Sequence, residues 1–332
     1  MFSKNRKLSY SDTINETLDH LLATDNKILL IGQGVKSPWY VGSTCNGLYD
    51  KYGKERVLDT PISENGITGV AVGAAIVGMK PIIVHPRMDF MLYAFDPIIN
   101  QAANWHYMSG GSSNVPVLFW GIINRGGEQA AQHSQSLYSV FAHIPGLKVI
   151  TPSTPFDVKG LIISAIKDPN PVLFVDDRWL YNITDYVPEE PYEVPIGKGI
   201  IRREGRDVSI ISFSYAVHET LKAAEKLASN GIEAEVVDLR SIKPYDKEII
   251  LESVKKTGRL VIVDASWKTG GFSAEISAFV AENALEYLKS PVLRVCLPDV
   301  PAPSSGVLEE EYYITHDKIV KAVMKITKLV KT

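Results

Sequence analysis

Thr60-Pro-Ile-Ser-Glu64-Asn-Gly-Ile-Thr-Gly-Val-Ala-Val-Gly-Ala-Ala-Ile-Val-Gly-Met79 is a polar turn that opens into fourteen small and apolar residues, without a further charge until Lys80. No proline interrupts the run after Pro61, so it reads as a helix, and its lack of charge predicts a buried one. Gly66, Gly69 and Gly73 recur at helical spacing. Each glycine weakens a helix by up to ~1 kcal/mol, so the stripe implies the close approach of another backbone. One carboxylate, Glu64, stands at the N-terminus. It is either a first-turn acid that favours the helix dipole and caps with Ser63, or a carboxyl drawn into a dry interface. Burial there would raise its pKa and let it exchange a proton near neutrality.

Outward from this helix the chain alternates. Short apolar runs such as Lys27-Ile-Leu-Leu-Ile-Gly32, Pro81-Ile-Ile-Val84, Val115–Trp120, Leu147-Lys-Val-Ile150 and Pro171–Val175 read as strands. Asp12–Ala23 (capped by Ser11), Gly42–Tyr52, Asp89–Trp105, Ser136–His143 and Thr154–Lys167 read as helices. Such alternation predicts an α/β fold with a parallel sheet covered on both faces. Residues 176–198 are acidic and carry Pro188, Pro191 and Pro195, which predicts an extended connector. Beyond Asp207 the alternation resumes, ending in a helix over Leu308–Lys331. With 332 residues, two domains are expected: residues 1–180, a linker over 181–198, and residues 199–332.

A net charge of −3 leaves no basic excess to neutralise phosphates, so nucleic acid is not the expected partner. Cys45 and Cys296 are too few and too far apart for a disulfide framework or a metal site. The basic start Met1-Phe-Ser-Lys-Asn-Arg-Lys7 has no apolar segment behind it and does not read as a signal peptide. No uncharged apolar run approaches the ~20 residues that span a bilayer. A cytoplasmic protein without a membrane partner is the expectation.

In parallel sheets ligands bind beyond the carboxyl ends of the strands. Three such loops stand out: the one with Glu64; His85-Pro86-Arg87-Met88-Asp89-Phe90; and Arg125-Gly-Gly-Glu-Gln-Ala-Ala-Gln-His133-Ser-Gln135. His133 is either a proton shuttle or a satisfied structural histidine. Neither a dinucleotide fingerprint, a P-loop nor a Gly-x-Ser-x-Gly elbow occurs.

The sequence resembles the β subunits of the E1 component of thiamine-diphosphate-dependent 2-oxo acid dehydrogenases, relatives of transketolase. The resemblance rests on Asp59-Thr-Pro-Ile-Ser-Glu64, Asp96 to Ala103, Tyr107-Met-Ser-Gly-Gly111, Ala130-Ala-Gln-His-Ser-Gln135 and Pro145-Gly-Leu-Lys-Val149. In the second half it rests on Val194-Pro-Ile-Gly-Lys198, Val236–Ile242 and Asp299-Val-Pro301. It implies a pyrimidine-binding domain followed by a transketolase C-terminal-type domain. It implies oxidative decarboxylation of a 2-oxo acid with acyl transfer to a lipoyl group. Glu64 then matches the glutamate that hydrogen-bonds the coenzyme's aminopyrimidine ring, and Phe90, beside Pro86, the aromatic residue that packs on that ring. His133 matches the active-site histidine. Val117, Ala165, Asp168 and Asn170 match positions whose backbone oxygens hold potassium in some relatives.

The Gly-Asp-Gly motif that binds the diphosphate and its Mg²⁺ elsewhere in the family does not occur in this sequence. The resemblance therefore implies an α subunit that supplies Mg²⁺ and the diphosphate site, an α2β2 heterotetramer, and inactivity of this chain alone. A dihydrolipoyl acyltransferase (E2) is a further implied partner. The loops at 84–89 and 121–129 depart from the family pattern: Val84-His85-Pro86-Arg87 replaces an acidic-aromatic-Met-Thr run, and Arg125-Gly-Gly-Glu128 an Arg-Gly-Pro. Arg87 and Arg125 either point to solvent or, with His85, recognise an anionic or hydroxylated substrate larger than pyruvate. Two other functions stay open: a carboligase or transketolase-like enzyme without a lipoyl partner, and a non-catalytic interaction subunit.

Overall fold

A computed structural model describes residues 6–328 and divides the chain into two α/β units. Among the described residues, the chain up to Arg125 together with Gln132–Ile196 forms the first, and Gly126–Ala131 with the chain from Gly197 onward forms the second. The first unit contains strands β1 (Lys7–Ser9), β2 (Ile28–Gly32), β3 (Tyr40–Ser43), β4 (Val57–Asp59), β5 (Lys80–His85), β6 (Leu118–Ile123), β7 (Lys148–Ile150), β8 (Val172–Asp177) and β9 (Thr184–Tyr186). Its helices are α1 (Tyr10–Thr24), α2 (Leu48–Tyr52), α3 (Glu64–Ile76), α4 (Asn104–Met108), α5 (Tyr138–Ala142) and α6 (Pro155–Lys167).

The strands of its main sheet run parallel in the order β7-β8-β6-β5-β2-β4. β6 and β8 are buried along their whole length, as strands covered on both faces must be. Trp120 stacks on Phe174 in that core. The register sets Gly32 beside Val84 and His85 beside Gly121, so the chain leaves three neighbouring strands at one edge.

The second unit holds β10 (Ile200–Arg203), β11 (Val208–Ser212), β12 (Ala234–Asp238), β13 (Ser241–Lys243), β14 (Leu260–Trp267) and β15 (Leu293–Leu297), with helices α7 (Ala216–Ala228), α8 (Lys247–Thr257), α9 (Phe272–Asn283), α10 (Gly306–Tyr312) and α11 (His316–Lys328). Its sheet has the order β10-β12-β11-β14-β15, with only β10 antiparallel to its neighbour.

Several local expectations are corrected. Ser9, not Ser11, caps α1, accepting from Asp12 N at 3.1 Å; Ser11 lies inside the helix. The expected helix over Gly42–Tyr52 is a strand, a turn and only then α2, because Gly42 and Gly47 take positive φ. The expected single helix over Asp89–Trp105 is a 3-10 stretch (Met88–Ala94), a π-helical stretch (Asp96–Ala103) and α4. Pro97 lies in the first turn of the π stretch and lacks the N–H a continuing α-helix would need. The closing helix breaks into α10 and α11, and its expected end at 329–331 lies outside the described residues.

α3 is the correction with consequences. It is not buried all round. Thr68, Ala71, Val72 and Ala75 face the unit, while Gly66, Gly69 and Gly73 are exposed beside Val70 and Val77, 64% and 80% exposed. A Cβ built on Gly69 or Gly73 meets nothing within 4 Å.

Candidate active site

β2 ends at Gly32, β5 at His85 and β4 at Asp59, and the chain segments that follow them enclose a cleft of ≈ 440 Å³. Gln33, Tyr40, Ile62, Glu64, His85, Pro86, Arg87, Phe90 and Tyr93 line it, which is where the carboxyl ends of a parallel sheet would gather a ligand. Tyr40 reaches the cleft because Gly34 (φ +74°) lets the chain turn there. A Cβ at that position would sit 2.1 Å from the Tyr40 ring, so no other residue fits. The same turn is tied down by Gly34 N donating to Asp59 Oδ1 at 2.7 Å.

Glu64 is the first residue of α3 and half-buried. Ser63 precedes it and makes no side-chain cap bond, so the expected cap pairing is not formed. Among the lining residues Glu64 is the one acid. Phe90 lines the cleft and meets His133 edge-on, with ring centroids 5.5 Å apart. Burial, then the nearby Arg87 charge, holds the His133 imidazole below its ordinary pKa.

His85 is 1% exposed, and burial pushes its pKa down to about 4, so it is neutral at physiological pH. Its Nε2 lies 3.2 Å from Thr68 Oγ1 on α3, and its Nδ1 has no partner. Pro86 turns its carbonyl inward, accepting from Asn124 Nδ2 at 2.9 Å and Arg87 Nη1 at 2.8 Å. The Arg87 guanidinium lies 5.9 Å from the Tyr40 ring centroid, half-buried rather than in solvent, and its Nε is unpartnered.

Arg125 is elsewhere. It is buried in an ion pair with Asp177 at 2.8 Å, donates to Ser136 Oγ at 3.0 Å, and sits 5.7 Å from the Trp179 ring centroid. It neither points to solvent nor lines the cleft, as the expectation required of it; its partner lies on β8, the strand paired with β6, just past whose end Arg125 sits. By joining residues 125 and 136 it closes the base of the loop that carries His133. Within the second unit, the tip of that loop is pinned by Glu128 N donating to both carboxylate oxygens of Glu309, at 3.2 and 3.1 Å.

Asp89 is a site residue that the sequence did not single out. Its Oδ1 accepts from Gln135 N at 3.2 Å and Gln135 Nε2 at 2.9 Å, while its Oδ2 is buried without a partner. Burial, opposed by the Gln135 hydrogen bonds, raises its carboxyl to about 6. Gln33, Tyr40, Ile62 and Tyr93 were also missed; Gln33 alone had a signal, since it directly follows a strand end.

The chain around Val117 and the turn over 165–170 are joined by backbone hydrogen bonds. Val172 N donates to Val117 O at 3.1 Å, Val115 N to Pro169 O at 3.1 Å, and Asp168 N to Ala165 O at 3.3 Å. The Asn170 side-chain oxygen is buried there without a partner. Among the described residues, no three His, Cys, Asp or Glu side chains gather as a metal site, and no helix is long and apolar enough to cross a membrane.

A family model described as "Transketolase, pyrimidine binding domain" matches residues 6–184, and one described as "Transketolase, C-terminal domain" matches residues 197–319. The chain is 44% identical to the beta subunit of acetoin:2,6-dichlorophenolindophenol oxidoreductase of Cupriavidus necator, over 97% of this chain and 98% of that one. It is 42% identical to the mitochondrial pyruvate dehydrogenase E1 component subunit beta of Dictyostelium discoideum, over 97% and 92%. It is 39% identical to the 2-oxoisovalerate dehydrogenase subunit beta of Bacillus subtilis, over 96% and 98%. A solved chain described as "Split gene transketolase, inactive beta4 tetramer" superposes with a TM-score of 0.80 at 23% identity, covering 97% of this chain and 99% of that one, which speaks to the fold. The chain belongs to the transketolase-type family of E1 β subunits.

Proposed function

We propose that this chain is the β subunit of a thiamine-diphosphate-dependent 2-oxo acid dehydrogenase E1 enzyme, which decarboxylates a 2-oxo acid oxidatively and passes the acyl group to a lipoyl partner. The observation that carries it is the cleft that gathers Glu64 and Phe90, with His133 meeting the Phe90 ring edge-on. A carboxyl at a helix start beside an apolar ring suits an aminopyrimidine: one edge needs a hydrogen-bonding acid, the faces need apolar contact. Thiamine diphosphate, when bound, supplies the electron sink on which a 2-oxo acid loses CO₂.

In this reading Glu64 holds the proton exchanged with the pyrimidine edge, and Phe90 and Pro86 fix the ring's plane. His133 moves protons at the substrate side, its depressed pKa keeping a neutral, proton-accepting imidazole available. Tyr40, Ile62 and Tyr93 add apolar surface around these groups, with Ile62 and Tyr93 open to solvent in this chain. The diphosphate and its Mg²⁺ belong to an α subunit, in an α2β2 heterotetramer. The exposed glycine face of α3 is a surface onto which another helix packs closely. Backbone oxygens of Val117, Ala165, Asp168 and Asn170 would hold potassium, beside the Asn170 side-chain oxygen, which is buried without a partner. A dihydrolipoyl acyltransferase is the acceptor-bearing partner, and a soluble cytoplasmic setting suits the complex.

The test is co-expression with the α partner, thiamine diphosphate and Mg²⁺. CO₂ release and acylation of lipoamide are expected, both lost at least 100-fold in Glu64→Gln. Lipoamide acylation with Glu64→Gln at wild-type rate would overturn the assignment. CO₂ release or carboligation without any lipoamide acylation would favour the lipoyl-independent alternative.

A further inference from the structure

The relatives named above act on different compounds at nearly equal identity, so overall similarity does not select a substrate. The cleft does carry a selective feature, which is an uncompensated cation. Among the described residues Arg87 donates one hydrogen bond, to the carbonyl of Pro86, and makes no ion pair. Its Nε is buried without a partner, and its guanidinium is held against the Tyr40 ring. Within this chain Asp89 attracts it from a distance without forming an ion pair. The Arg178 guanidinium is close enough to repel it, and is itself tied to Tyr40 O. Asp89, on the same turn, is directed at Gln135. Glu64 makes no ion pair with it and, in the function proposed above, is committed to the coenzyme.

His85 adds a second unmade interaction at the same strand end. It is 1% exposed, lines the cleft, and has one ring nitrogen satisfied by Thr68 and the other by nothing. Buried polar atoms are nearly always paired in a working site, so the buried Arg87 Nε and His85 Nδ1 call for acceptors or donors that this chain does not supply. A planar guanidinium matches the two oxygens of a carboxylate or phosphate, and a neutral imidazole completes the set with one further hydrogen bond.

We propose that this cleft selects a 2-oxo acid carrying a second anionic group, a carboxylate or a phosphate, which Arg87 binds with His85 as its hydrogen-bonding neighbour. The inference rests on the function proposed above and names its substrate class.

The experiment uses the assembled α–β enzyme with thiamine diphosphate and Mg²⁺, reading decarboxylation with an artificial electron acceptor. Pyruvate, 2-oxobutyrate and 2-oxoisovalerate form the neutral-tailed arm, 2-oxoglutarate and 2-oxoadipate the carboxylate arm, and 3-phosphohydroxypyruvate the phosphate arm. In the wild type, kcat/KM for one anionic arm is at least 30-fold above the neutral arm, and the preferred arm tells carboxylate from phosphate. Arg87→Met lowers kcat/KM on that arm at least 30-fold more than on the neutral one, and circular dichroism of bound thiamine diphosphate checks that the enzyme is assembled. Arg87→Gln, which keeps a donor for Pro86, replaces it should Met disturb assembly. Equal kcat/KM across the arms, or an equal loss on all of them, overturns the substrate class while leaving the function standing. A wild type that turns over neither arm overturns both.

Discussion

Gln135 grips Asp89 twice, from its backbone N at 3.2 Å and its side-chain Nε2 at 2.9 Å. This joins the turn that carries Phe90 to the loop that carries His133. Replacing Asp89 by leucine should loosen the Phe90–His133 contact, lowering lipoamide acylation at least tenfold while thiamine diphosphate binding is largely kept. Asp89→Asn, which can still offer an oxygen to Gln135, should restore most of it. Stopped-flow acylation with a parallel binding titration checks both, and equal behaviour of the two variants would refute the clamp.

Asp89 and His85 should make opposite contributions to pH-dependent stability. The Asp89 carboxyl, raised to about 6 from 3.8, stabilises the fold only while protonated, and that contribution is lost as pH rises through 6. The His85 imidazole, lowered to about 4 from 6.5, contributes above 6.5, and its contribution is lost as pH falls toward 4. Each is on the order of 3 kcal/mol at most. Urea unfolding of Asp89→Asn should therefore show a gain over wild type at pH 7 that fades near pH 4. His85→Gln should show a deficit at pH 7 that shrinks over the same interval.

Arg125→Met should destabilise the chain by about 3–5 kcal/mol, because it takes the paired cation away from the buried Asp177 carboxylate. Arg125→Lys should recover only part of this, since an ammonium lacks the fork that reaches Asp177 and Ser136 together. Denaturant titration gives the magnitudes, and hydrogen exchange should show faster opening across residues 126–135. Substrate preference among the variants that fold should not change.

Gly69→Ala should stabilise the isolated chain by up to ~1 kcal/mol, since its Cβ meets open space and alanine is the better helix former. Gly69→Leu should leave the isolated chain folded yet prevent assembly with the α subunit. Size-exclusion chromatography of the co-expressed pair, set beside thermal melts of the β chain alone, separates the two effects.

The parallel sheet was legible because β5, β6 and β8 are unbroken apolar runs between helical stretches, a pattern that depends on nearest neighbours in sequence. The helix after Glu64 was legible for the same reason, but its burial was not. A run of glycine and alanine looks alike whether its neighbour is the same chain or another one. Arg125 was read as solvated or substrate-facing because its acid lies on another strand, and pairing across a sheet leaves no local spacing. Asp89 was passed over because an aspartate in a polar turn ordinarily stays in water. Its burial comes from the loop around Gln135, which only the fold brings near. The 3-10 and π segments before α4 were hidden for a subtler reason: Pro97 signals that an α-helix is interrupted, not which winding replaces it.

α3 has Glu64 at its tip and its bare glycine flank along its shaft. Whatever leans on that flank therefore leans on the rod that aims the carboxylate, and a shift of the rod along its axis moves Glu64 by the same amount. In the function proposed above, subunit docking and proton handling would share one lever. An ill-fitting companion would spoil chemistry at the tip without ever touching it.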